Sequence, residues 1–259
     1  MTRHLVILCA AAALLFSLDA EARPKLDRKL DAATEVLNQL NRIPENRIPP
    51  SLLARAHAIA VIPSMVKLGF VVGGHHGSGV LVVRQPDGGW SNPSFIKLSG
   101  GSIGWQAGAQ STDIILVFKT RKGVDDISRG RLTLGAGASI AAGPVGRDTS
   151  AATDAQLKAE IYSYSRSRGL FAGVSLQGGV LRMDRKANIR YYDDATSHDS
   201  RQIFMQNRMP APASAQRFVA TLARTAPQAN GPALSQADTQ GPAKVFAIDD
   251  LEPVEQGVF

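Results

Sequence analysis

Gly100-Gly101-Ser102-Ile103-Gly104 matches the G-x-S-x-G pattern of a serine nucleophile on a strand-to-helix elbow, and His198 and several aspartates follow in the order α/β-hydrolases use. The chemistry would be acyl transfer. The flanking residues oppose it, because Gly104-Trp105-Gln106-Ala107-Gly108-Ala109 alternates and its glycines disfavour the helix an elbow requires. Ser102 is therefore expected on a glycine-bent strand, and no catalytic residue is assigned. His75-His76 suggests a metal, but neighbouring side chains on a strand point to opposite faces and do not readily share one ion. Gly135-Ala136-Gly137-Ala138-Ser139-Ile140 lacks the third glycine of a dinucleotide loop, and no G-x-x-x-x-G-K-[ST] occurs. No metal, cofactor or nucleotide is expected.

The remaining chemistry is cationic. The chain of 259 residues carries a net charge of +7, while Asp238, Asp249, Asp250, Glu252 and Glu255 make its last segment acidic, so the excess of cations lies in the middle. Three groups stand out: Lys25, Arg28 and Lys29; Lys119, Arg121 and Lys122; and Arg166, Arg168, Arg182, Arg185, Lys186 and Arg190. A Lys or Arg near an anionic surface gains about 1 kcal/mol, so such groups suit phosphate-bearing partners.

Leu26, Leu30, Ala33, Val36, Leu37 and Leu40 recur at three- and four-residue steps and predict a helix over Lys25 to Asn41. The basic residues of its first turns stand at the wrong end for the helix dipole, so helix stability does not explain them. A second short helix is expected from Ser51 to Ala56. Short apolar segments follow, separated by glycine: 58–62, 70–73, 80–84, 94–98, 103–109, 114–119, 132–140, 161–168, 170–177 and 180–183. A helix is expected between Arg121 and Gly130, and others over 198–207 and 214–224. Many short glycine-rich strands with helices mainly at the ends predict an α+β fold, a curved antiparallel sheet closing toward a barrel or sandwich with flanking N- and C-terminal helices.

The two-strand run over 162–181 also carries a resemblance. Tyr-Ser-Arg-Ser-Arg-Gly-Leu-Phe-Ala-Gly-Val-Ser-Leu at positions 164 to 176 resembles the signature segment of the SYLF-domain family, and blocks 56–84, 90–118 and 134–147 are similar to family blocks in the same order. Gln177 stands where members often have Glu. The resemblance implies non-enzymatic binding of phosphoinositides or other anionic phospholipids, with an amphipathic N-terminal segment taking part. On that basis Lys25, Arg28, Lys29, Lys119, Arg121, Lys122, Arg166 and Arg168 are the expected lipid-binding residues.

Arg3 and His4 precede an apolar run from Leu5 to Leu18, and Ala20-Glu21-Ala22 is a small-x-small site, so residues 1–22 read as a signal peptide. Cys9, the sole cysteine, would leave with it, and export without disulfides suits a bacterial periplasm. The expected organisation is then a SYLF-like domain over 23–194, a helical extension over 195–225 and a disordered acidic tail over 226–259. The expected partner is an anionic membrane surface, with no nucleic acid; actin, bound by yeast members, would be out of reach of an exported protein. The alternatives are an envelope protein that binds protein or peptidoglycan and, last, a hydrolase using Ser102.

Overall fold

A computed structural model describes residues 22–40, 42, 48–144, 159–167, 170–192, 203–204 and 211–228. All of them lie in one compact unit. Two helices, α1 (Ala22–Leu40) and α2 (Pro50–Ala54), lead into the strands β1 (Ala58–Val83) and β2 (Ser94–Phe118). Helix α3 (Arg121–Arg129) follows, then β3 (Arg131–Thr133), β4 (Ile140–Ala142), β5 (Ile161–Ser167), β6 (Leu170–Gly173) and β7 (Val180–Met183). Helices α4 (Arg185–Tyr192) and α5 (Ala213–Thr225) close the order.

The strands form one curved, mixed sheet, a half-barrel with helices flanking it at both chain ends. Its path runs β3-β7-β2-β5-β4, with β1 on β2 and β6 on β5; every pair is antiparallel except β4 with β5. The fold class expected from the sequence is thus present, but its strands are divided differently. Segments 58–62, 70–73 and 80–84 are parts of β1, and 94–98, 103–109 and 114–119 are parts of β2. Glycines inside these strands do not end them.

β1 and β2 pair from Ala58↔Phe118 to Leu81↔Ser94, with register shifts between Ile62 and Met65 and between Gly69 and Val71. Bulges of this kind bend a ribbon and raise its twist. At the first, Ser64 takes a positive φ of 49° and its N–H donates to Asp113 Oδ1 at 2.9 Å. The ribbon then doubles back: a methyl group at Gly79 would collide with the Val61 carbonyl of the same strand. Only glycine permits this approach. At the strand ends the Arg84 N–H donates to the His57 carbonyl at 2.8 Å, and the His57 N–H to that of Phe118 at 2.7 Å.

Both faces of the ribbon are covered. Ile59, Val61, Val80, Val82, Ile115 and Val117 point to the side packed by α1, α2 and α5, while Ala58, Ala60, Ile62, Leu81, Ile114 and Leu116 point to the side packed by α3. The period of two sorts them. Helix α1 buries Leu30, Ala33, Val36, Leu37 and Leu40, as its sequence periodicity requires, each large side chain contributing about 1.5–3 kcal/mol. Two of its acidic residues turn to α5: Ser214 Oγ donates to Asp27 Oδ1 at 2.5 Å, and Arg217 meets Asp31 at 2.8 Å. α2 begins at Pro50, not at Ser51, and its N-cap Pro49 makes no side-chain bond; Pro at N1 has no N–H to satisfy. α4 has no counterpart among the expected elements.

Candidate functional site

A groove of about 1030 Å³ lies where the two ends of the β1–β2 ribbon meet α3. Arg55, Arg84, Lys119, Arg121 and Arg129 line it, and Asp125 is the one carboxylate among its described lining residues. His57 stands on the wall, and Val124 and Phe204 supply apolar surface.

Each cation owes its position to a different local cause. Arg55 follows the last turn of α2 and its Nε donates to the Ser51 carbonyl at 3.2 Å, so the head stays exposed. Lys119 leaves the end of β2, and its ammonium lies 6.0 Å from the Tyr162 ring centre. Arg121 opens α3 and meets Asp125 one turn on at 3.6 Å, while Arg129 meets Asp126 at 3.5 Å. Both pairs are exposed, and such pairs hold their partners weakly. The α3 N-cap, Thr120, makes no side-chain bond and the first turn holds no acidic residue. That end of the helix is already positive.

Arg84 differs from its neighbours. Its guanidinium donates to the carbonyls of Ala56 at 3.0 Å, Gly88 at 3.1 Å, Leu53 at 3.1 Å and Ala226 at 3.1 Å, and it stacks 4.0 Å above the Trp90 ring. It ties α2, the β1–β2 turn and the end of α5 together. Burial lowers its pKa. Burial also lowers that of His57, helped by Arg121 and opposed by Asp125.

The residues expected at a membrane are divided by the fold. Lys119 and Arg121 line the groove; Lys122, exposed beside them, reaches Glu160 at 3.6 Å. Lys25 and Arg28 are exposed on α1, with Arg28 Nε donating to the Pro24 carbonyl at 3.3 Å. Lys29 turns inward, its ammonium donating to Ser78 Oγ, and its pKa is lowered by burial, with Asp184 raising it and Lys97 lowering it. Arg166 is mostly buried and pairs with Asp113 at 2.7 Å, the same carboxylate that holds the Ser64 bulge. Arg168 lies outside the described residues. Arg182, Arg185, Lys186 and Arg190 are exposed along β7 and α4.

The other sequence candidates resolve structurally. Ser102 lies inside β2 opposite Gly73, with strand continuing on both sides and no helix after it, so the elbow geometry is missing. His75 is buried and His76 exposed, as alternation requires, and among the described residues no group of His, Cys, Asp and Glu is placed to hold a metal ion. Within the 164–176 signature Tyr164, Phe171 and Leu176 enter the core, and just before it Tyr162 does the same while Ser163 Oγ stands within hydrogen-bond reach of the carbonyls of Val174 and Ala141. Sequence reasoning missed Arg55, His57, Arg84 and Arg129, which are scattered along the chain. The one signal for the groove was the cationic group Lys119, Arg121 and Lys122 following a strand.

The fold is thus a helix-flanked half-barrel with a cationic groove and no elbow around its serine motif. Residues 99–225 match a family model described as "Ysc84: Las17-binding protein actin regulator". The chain is similar to LAS seventeen-binding protein 3 of Saccharomyces cerevisiae, 42% identical over 150 residues, 57% of this chain and 32% of that protein. It is 38% identical over 172 residues to Protein YSC84 of the same yeast, covering 65% of this chain and 36% of the relative. It is 34% identical over 174 residues to the human SH3 domain-containing YSC84-like protein 1, covering 64% and 51%. The chain therefore spans from about a third to about half of the length of these relatives. The matches support the resemblance drawn from the signature segment.

They also correct three expectations. The chain was expected to be a bacterial exported member, yet these relatives are yeast and mammalian proteins. The signal peptide over 1–22 and the periplasmic or secreted location fall with it; the apolar run behind them, Leu5 to Leu18, lies outside the described residues. The exclusion of actin is overturned too, because it followed only from export and the matching family is described as an actin regulator. Among the described residues no helix is long and apolar enough to cross a membrane.

Proposed function

We propose that this protein is a non-enzymatic binding module that docks on membranes carrying anionic phospholipid, phosphoinositide-type headgroups being the form the resemblance implies. The observation that carries the reading is the concentration of cationic side chains around the groove between α2, the ribbon ends and α3, where Arg55, Arg84, Lys119, Arg121 and Arg129 outnumber the carboxylates among the described residues of its lining. Lys119, Arg121 and Lys122 act there, and Lys25 and Arg28 on α1 offer a second exposed patch. Lys29 and Arg166, engaged inside the fold, contribute little to contact with a surface. In co-sedimentation, the protein should pellet with vesicles of phosphatidylcholine and phosphatidylserine at low salt and be released near 1 M salt, where the screening length falls to about 3 Å. Equal pelleting with pure phosphatidylcholine would overturn the reading.

A second reading rests on a separate observation, the match of residues 99–225 to a family described as a Las17-binding actin regulator. In it the module also engages the actin machinery. Pelleting with filamentous actin tests it directly, and a protein that stays in the supernatant across a concentration series removes it.

A further inference from the structure

We infer that the groove is a selective pocket for a phosphate monoester on a membrane lipid, with the ester's phosphate at the Lys119–Arg121 rim and the glycerol and first methylenes of the lipid against Val124 and Phe204. This rests on the membrane-binding reading and makes it sharper, since a flat cationic surface and a pocket predict different behaviour. Three features of the groove point to a pocket.

The first is size. A volume of about 1030 Å³ lies at the top of the range usual for small-molecule sites and far exceeds what a bare phosphate fills. The second is the wall. Positive charge gathers at Arg55, Lys119, Arg121 and Arg129, while Val124 from α3 and Phe204 bring apolar surface to the same space, so the lining suits a ligand with an anionic end and an apolar end. The third is the state of the cations. Arg84 has its guanidinium bonded to four carbonyls and serves as scaffold. Arg121 and Arg129 are held only by exposed carboxylate pairs at 3.6 and 3.5 Å, which a phosphate can replace with shorter, charge-assisted bonds. Among the described residues five cations line the groove against Asp125 in the lining and Asp126 beside Arg129, so a dianionic monoester balances the local charge better than a monoanionic diester.

The test compares vesicles of phosphatidylcholine doped with phosphatidic acid against vesicles doped with phosphatidylglycerol to the same surface charge. The full chain should prefer phosphatidic acid by about tenfold. Ser128→Trp fills the groove without removing a charge. It should abolish the preference while leaving the weaker binding to phosphatidylglycerol. Should that variant fail to fold, Lys119→Ala/Arg121→Ala serves: at about 1 kcal/mol per cation it should lose about thirtyfold on phosphatidic acid, against a much smaller loss for the exposed pair Arg182→Ala/Arg185→Ala.

Equal binding of the unaltered protein to the two anionic vesicles overturns the pocket and keeps the membrane reading. Equal losses from both alanine pairs do the same. Binding to neither vesicle overturns both. A soluble arm separates the sources of the phosphate: glycerol 3-phosphate binding as tightly as short-chain phosphatidic acid would show that the apolar wall is not used, and would overturn the lipid assignment.

Discussion

The start of α1 and the entry to α3 each carry cations close together in sequence, and the fold treats the two groups in opposite ways. On α1, Lys25 and Arg28 remain outside while Lys29 swings beneath the helix to Ser78 and the Lys97–Asp184 pair. Around α3, Lys119, Arg121 and Lys122 all stay exposed, and Arg55 and Arg129 join them from distant positions. One group is dispersed by helical phase; the other is concentrated by tertiary convergence. Charge density along the sequence is therefore a poor guide to charge density on the surface.

The sharpest way to probe this contrast lies at Arg84, a cation in the groove wall with no charge to spare for a ligand. Arg84→Ala removes four hydrogen bonds to carbonyls and the stacking on Trp90, so unfolding in urea should show a loss of about 3 kcal/mol. A variant as stable as the parent would mean that Arg84 belongs with the ligand-facing cations.

Lys29→Met comes next. It removes one hydrogen bond and one half-buried charge, so stability should change by less than about 1 kcal/mol and vesicle binding should stay within about twofold. A large loss of vesicle binding from this change alone would place Lys29 at the membrane and erase the difference between the two groups.

The smallest effect concerns pH. Burial lowers the pKa of His75, with Lys67 adding to the shift, and lowers that of His57, with Arg121 adding to it and Asp125 opposing. His75 Nε2 is buried with no hydrogen-bond partner among the described residues. The unfolded chain takes up protons near the ordinary histidine pKa of about 6.5, and the folded chain resists until a lower pH. The stability these residues contribute is full above about pH 6.5 and is lost as pH falls through the window down to their folded pKa values. A thermal midpoint that declines over that window, with a shallower decline in His75→Gln, is the expected result; identical profiles for the two proteins would remove His75 from the account.

Local patterns were legible wherever a single period governs a single element. The three- and four-residue spacing of α1 and the cationic group Lys119, Arg121 and Lys122 beside the helix expected from Arg121 both read directly. The long strands did not, because glycine was taken as an end to a strand. In β1 it permits close approach instead: Gly79 passes the Val61 carbonyl where any side chain would collide. Of the groove, only Lys119 and Arg121 were visible beforehand. Nothing local marks Arg55 or Arg129 as their neighbours, since the segments that carry them meet only when the ribbon folds over.

The sequence alone determined the kinds of element, which side of each is apolar and the cationic excess, because periodicity and composition act over a few residues. Only tertiary structure decided which cations face solvent together and which are consumed inside. That choice depends on where the doubled ribbon brings remote backbone into contact, and no short stretch of chain encodes it.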